Sequence, residues 1–156
     1  MTVRVLRAVF VVAHTGAAAV WLGAMAYSLA VVQPRAQAFL GERYERFART
    51  LAAGARWKVL GLVAALALSG GGLIGLEVAD DRPGGFWWTL VAVKAALLLA
   101  AVALFAYVSW WLWPSRLFAS PERLPGLQRR FAHVAVALTA VVTAGLILGG
   151  VADAFR

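Results

Sequence analysis

The sequence predicts an all-α integral membrane protein: a four-helix bundle with both termini on the outer side. Three observations carry that reading. The 156-residue chain is 63% hydrophobic and only 14% charged, with a mean hydropathy of +0.81, which is too apolar for a water-soluble domain of this length. Four apolar stretches are each long enough to cross a hydrocarbon core of about 30 Å at about 1.5 Å per residue. The basic residues, finally, collect in two of the connections between those stretches.

The stretches run over about 7–32, 58–76, 86–113 and 131–151. Helices satisfy their own backbone in lipid, where no water does it for them, so each stretch is expected to be a helix. Little chain is left for anything else, and residues 1–156 are expected to form one transmembrane domain. The first stretch follows Arg4 and Arg7 and contains "AMA" at 24–26, as a cleaved leader would. Its apolar run is too long for one and holds His14 and Trp21, so it reads as a retained helix.

The connection after the first helix carries Arg35, Arg43, Arg46, Arg49, Arg56 and Lys58, and the third connection carries Arg116, Arg123, Arg129 and Arg130. The opposite ends have Arg4, Arg7, Arg82 and Arg156, offset by Glu77, Asp80, Asp81 and Asp153. Basic residues stay on the cytoplasmic side, which puts the two termini outside. The expected location is a bacterial cytoplasmic (inner) membrane. In "FLGERYERFARTLAAGARWK" the arginines recur every three or four residues around Tyr44, Phe47 and Leu51. Two readings stand: an amphipathic helix at the inner interface, or an ordinary basic cytoplasmic loop, which carries the greater weight. Tryptophans 57, 87, 88, 110, 111 and 113 sit near span ends, as an aromatic belt does. "DDRPGG" reads as an outer turn, and the prolines of "WPSRLFASPERLPG" are expected to keep that connection non-helical.

The net charge of +8 is confined largely to span ends, so the lipid bilayer is the expected partner and nucleic acid is not. With no cysteine there is no disulfide, thiolate metal site or Cys-linked haem. No carboxylate lies inside a span, which excludes a carboxylate proton relay. Copper(I) prefers soft sulfur ligands, and the spans offer Met25 alone, so a methionine-ladder copper channel is excluded for this chain by itself. No hydrolase triad, P-loop or dinucleotide fingerprint appears.

Two ionisable residues remain well inside the spans: His14 in the first and Lys94 in the third. Each falls five or six positions before the middle of its span, about 8 Å outward of the midplane. Burying a lysine costs at least about 2.5 kcal/mol on insertion scales, so two polar groups at one depth suggest a shared site. Against this, Lys94 could snorkel to the headgroups, and a neutral His14 could bond a neighbouring backbone or Thr15. His14, Ala18, Trp21, Met25 and Ser28 form one helical stripe. "SGGGLIG" places Gly70, Gly71, Gly72 and Gly75 at the same level, where a neighbouring helix or a flat ligand could come close. His133 lies about 20 Å from His14 along the membrane normal. Two axial ligands of one haem iron stand within about 4 Å of each other, so those histidines do not share a haem. His133 reads as an interface residue beside Arg129 and Arg130.

"AHTGAAAVWLGAMAY", with "RYERFARTLAAGARWKVLGLVAALALSGGGL" and "LVAVKAALLLA", resembles the copper-resistance protein D family of bacterial membrane proteins. The matching positions are His14, seven residues before Trp21-Leu22-Gly23, and Lys94. The same spacing is similar to the four-helix membrane protoporphyrinogen oxidases, whose histidine and lysine are implicated in haem or porphyrin binding and would map onto His14 and Lys94. "VVQPRAQAFL" departs from that family after the first helix. A third, uncharacterised class of four-helix membrane proteins shares the "WLG" and the following proline. The resemblance implies handling of copper or a b-type haem, with His14 as metal ligand and His14, Lys94, Trp21 and Met25 as cofactor-binding residues. Two alternatives stand beside it: a haem-dependent protoporphyrinogen oxidase, and an accessory subunit packed in a larger respiratory or transport complex. Small-residue surfaces also suit a homodimer.

Overall fold

In the computed structural model, which describes residues 2–80, 84–120 and 122–154, the chain is all-helical. Residues 81–83 of the "DDRPGG" turn, Pro121 and Arg156 lie outside the described residues. In chain order the helices are α1 (Thr2–Tyr27), α2 (Gln33–Leu40), α3 (Tyr44–Ala79), α4 (Gly85–Ala106), α5 (Trp113–Leu117) and α6 (Leu124–Ala154). Ser28–Val32 joins α1 to α2 and Tyr107–Leu112 joins α4 to α5, both as π-helix, and Gly41–Arg43 is a 3-10 turn. Four helical runs are long and apolar enough to cross a membrane: Thr2–Leu40, Tyr44–Ala79, Gly85–Arg116 and Leu124–Gly150. Only 6–17% of their apolar windows is buried inside the molecule. The rest is suited to lipid, because a lipid-facing surface needs no polar cover.

The runs extend past the boundaries read from the sequence. A proline inside a helix lacks an N–H and its ring collides with the carbonyl four residues back, yet Pro34 and Pro114 do not end their helical runs. The chain instead widens by one turn just before each proline. The N–H of Gln33 donates to the Ser28 carbonyl and that of Trp113 to the Val108 carbonyl, each five residues back, which is the π-helical pattern. Each proline then falls in the first turn of the next helix, where its missing N–H leaves no bond unmade. The connection expected to be non-helical is thus partly helical, since Pro114 sits in α5 and Pro125 in the first turn of α6. The basic segment 44–58 is likewise neither a loop nor a separate surface helix: it forms the first turns of the 36-residue α3.

The molecule divides into two compact units, Met1–Trp87 and Trp88–Arg156. In the first, α1 and α3 run antiparallel, with Arg7 beside Glu77 and Asp80 and His14 beside Leu66 and Ser69. Ala17, Trp21, Tyr44, Leu66 and Ser69 are buried there. In the second, Ala101, Phe105, Ser109, Leu112, Leu138 and Val142 are buried. Arg116, also buried, lies 5.6 Å from the Trp113 ring and 5.7 Å from the Phe131 ring, a geometry in which an aromatic face stabilises the cation.

The units share a pattern that hydropathy conceals. "AYSLAVVQPRAQAF" (26–39) and "AYVSWWLWPSRLF" (106–118) both place a proline seven residues after a tyrosine, and both carry the π turn between them. "GLIGLEVAD" (72–80) and "GLILGGVAD" (145–153) match at six of nine positions. Counted back from the prolines, Trp21 corresponds to Ala101, and both are 2% exposed. His14 and Lys94 each lie 20 residues before their unit's proline. The two units thus share one order of helix, π turn, proline and helix, with His14 and Lys94 at the same distance before the proline.

Candidate functional site

His14 is held on the inward stripe of α1, half-buried, with Ala17 and Trp21 buried further along. Its Nδ1 lies 3.1 Å from the Leu66 carbonyl oxygen and 3.0 Å from Ser69 Oγ. Both partners belong to α3, whereas Thr15 is exposed. The Leu66 carbonyl only accepts, and the Ser69 hydroxyl reaches the Ala65 carbonyl one turn back, so these contacts suit the tautomer with the proton on Nδ1 and the lone pair on Nε2. A donor bond from one ring nitrogen to a carbonyl or hydroxyl is the arrangement that orients a metal-ligating histidine and raises the basicity of the other nitrogen.

Two of the four glycines expected at this level make room for α1. A Cβ at Gly70 would stand 3.2 Å from His14 Cε1, and one at Gly72 would stand 2.6 Å from the Phe10 ring. Phe10 lies one turn before His14, so Gly70 and Gly72 receive successive side chains of one α1 face. Gly71 and Gly75 have nothing within 4 Å of such a Cβ. Close helix packing therefore accounts for half of the glycine run.

Toward its termini the unit is closed by an ion-pair cluster. Arg7 donates from Nη1 to Glu77 Oε1 at 2.8 Å and from Nη2 to Asp80 Oδ2 at 2.7 Å. The Glu77 side chain is nearly buried, so this pair is screened less than a surface pair. Arg7 and Glu77 thus offset one another by direct contact, which net counting of charges at that end only suggested.

The second unit holds Lys94, half-buried on α4. Its Nζ would lie 3.8 Å from a Cβ at Gly149, so the amine turns onto α6 of its own unit. Each unit thus directs the residue at this position against a glycine of the following long helix. Met25, half-buried, is eleven residues from His14 on α1, about 16 Å along the axis. One metal ion cannot bind both. Trp21 lies two turns from His14 and is buried. His133 is exposed on α6.

Among the described residues no group of three or more His, Cys, Asp or Glu side chains is placed to hold a metal ion. His14 is the side chain at this level that could ligate a metal through an imidazole nitrogen. That suits a group bringing its own equatorial ligands, such as a haem, better than a bare ion needing several protein ligands. Sequence reasoning missed Ser69 and the Leu66 carbonyl. The serine begins the quoted "SGGGLIG", and a polar side chain at the head of an intramembrane glycine run was the available signal. No protein-family model, curated protein or solved structure matches this chain.

Proposed function

We propose that this is a copper-resistance-protein-D-like membrane protein that handles a b-type haem or copper at an outer-leaflet site, with His14 as metal ligand and Lys94 as the charged group of the second unit. One observation supports the reading: His14 Nδ1 lies within hydrogen-bond distance of the Leu66 carbonyl and the Ser69 hydroxyl, the kind of contact that orients a metal-ligating imidazole. Haem is favoured over copper held by protein ligands alone, because a single imidazole serves as an axial ligand whereas Met25 is too far along α1 to join it. Bound there, haem iron would supply one-electron chemistry. The chain's own part is to orient the imidazole through α3 and to exclude water with the apolar spans. Both termini are assigned to the outer side of a bacterial inner membrane, with a homodimer or a larger membrane complex as the assembly.

The test is the absorption spectrum of detergent-purified protein, oxidised and dithionite-reduced, beside His14→Ala. A Soret band with a reduced α-band in the wild type, absent from the variant, is expected. Colourless protein after expression with adequate haem supply refutes the haem reading. Copper retained by that colourless protein, and lost in His14→Ala, leaves the copper reading standing.

A further inference from the structure

Both units carry an exposed phenylalanine beside arginines, four or five residues after the proline. Phe39 is 90% exposed and Phe118 is 89% exposed. Around Phe39 stand Arg35, Arg43, Arg46 and Arg49, all exposed, and beyond Phe118 come Arg123, Arg129 and Arg130, also exposed. Two apolar rings left uncovered by the protein within basic segments suit a surface that is both apolar and anionic.

The length of α3 says where that surface is. Its 36 residues rise about 54 Å, against a hydrocarbon core of about 30 Å. The surplus falls at its N-terminal end, because the apolar run begins near Lys58. On that surplus Arg46, Arg49 and Arg56 share one face, while Phe47 and Leu51, both exposed, occupy another with Tyr44. Trp57, 75% exposed, marks the level at which an aromatic belt meets the headgroups. Continuity of the helix with the span holds this basic face within a few turns of the bilayer surface.

We infer that the two proline-linked connections are docking elements for anionic phospholipid headgroups. Phe39 and Phe118 enter the acyl boundary, and the arginines contact phosphates. Charge complementarity selects this occupant, since guanidinium groups bind phosphate oxygens with paired donors and polybasic segments beside a span are attracted to acidic lipid. The inference is independent of the His14 reading.

The experiment uses the full chain, delipidated in detergent, with phosphatidylglycerol and phosphatidylcholine of identical acyl chains competing for it, read by native mass spectrometry. A preference for phosphatidylglycerol of about tenfold or more is expected, and Arg43→Gln/Arg46→Gln/Arg49→Gln should lower it at least about fivefold. The corresponding triple lysine variant, which keeps the charge, should retain most of it. Phe39→Ser/Phe118→Ser should weaken binding of both lipids while leaving the preference. Equal retention of the two lipids by the wild type overturns the inference, as does an unchanged preference in a monodisperse triple glutamine variant. Inorganic phosphate displacing the lipid at millimolar concentration would also overturn it, by showing that the anion alone is recognised.

Discussion

His14 shows how far a single residue can be read before its neighbours are known. Its place on an inward stripe with Trp21 was legible, because a spacing of three and four fixes a helix face whatever surrounds it. Its partners were not legible, since periodicity says nothing about which helix a face meets. Leu66 contributes a backbone carbonyl, which no sequence pattern marks. Two predictions belong here. Ser69→Ala leaves the Leu66 carbonyl as an acceptor for Nδ1–H, so thermal denaturation in detergent should register a loss of about 0.6 kcal/mol, the average for an intramembrane hydrogen bond. Gly72→Ala drives a methyl into the Phe10 ring and should cost about 1–3 kcal/mol by overpacking. Gly71→Ala meets open space and should not destabilise. If the two alanine variants melt alike, the tight seat of Phe10 on α3 is wrong. If Phe10→Ala restores Gly72→Ala, the clash is its cause.

At the scale of elements, all four apolar stretches became helices, and the differences lie at their ends. Hydropathy marks where lipid contact stops, whereas a helix continues for as long as its backbone bonds can be made. The π turns carry α1 into α2 and α4 into α5 past their prolines, a solution invisible to a rule that treats proline as a stop. The first connection breaks instead at Gly41, whose φ of +50° suits glycine and strains other residues. Gly41→Ala should therefore destabilise by about 1–3 kcal/mol, while Gly54→Ala, within α3 and with space around its Cβ, should not. Paired melting curves decide this, and equal stability would mean the turn at Gly41 adapts freely.

For the whole molecule, the pattern shared by the two units was present in the sequence but hidden by composition, because two apolar helices share many residues by chance. The register of tyrosine, π turn and proline exposes it, and with it the shared position of His14 and Lys94. The pattern also bears on topology. Each unit keeps most of its arginines on the connection within it, while Arg7, at the opposite end, is offset by contact with Glu77 and Asp80, which reduces its weight against the proposed orientation. The chain has no native cysteine, so single cysteines report their side without background. Thr50→Cys and Ser120→Cys, both at exposed positions in the basic connections, should resist a membrane-impermeant maleimide in intact spheroplasts and react after permeabilisation. Gly84→Cys, between the second and third spans, should react in intact spheroplasts. The converse pattern reverses the orientation and moves His14 to the inner leaflet, leaving four spans intact. A difference between Thr50→Cys and Ser120→Cys is the graver result, because two connections separated by two crossings must share a side, and the four-span reading would fail with it.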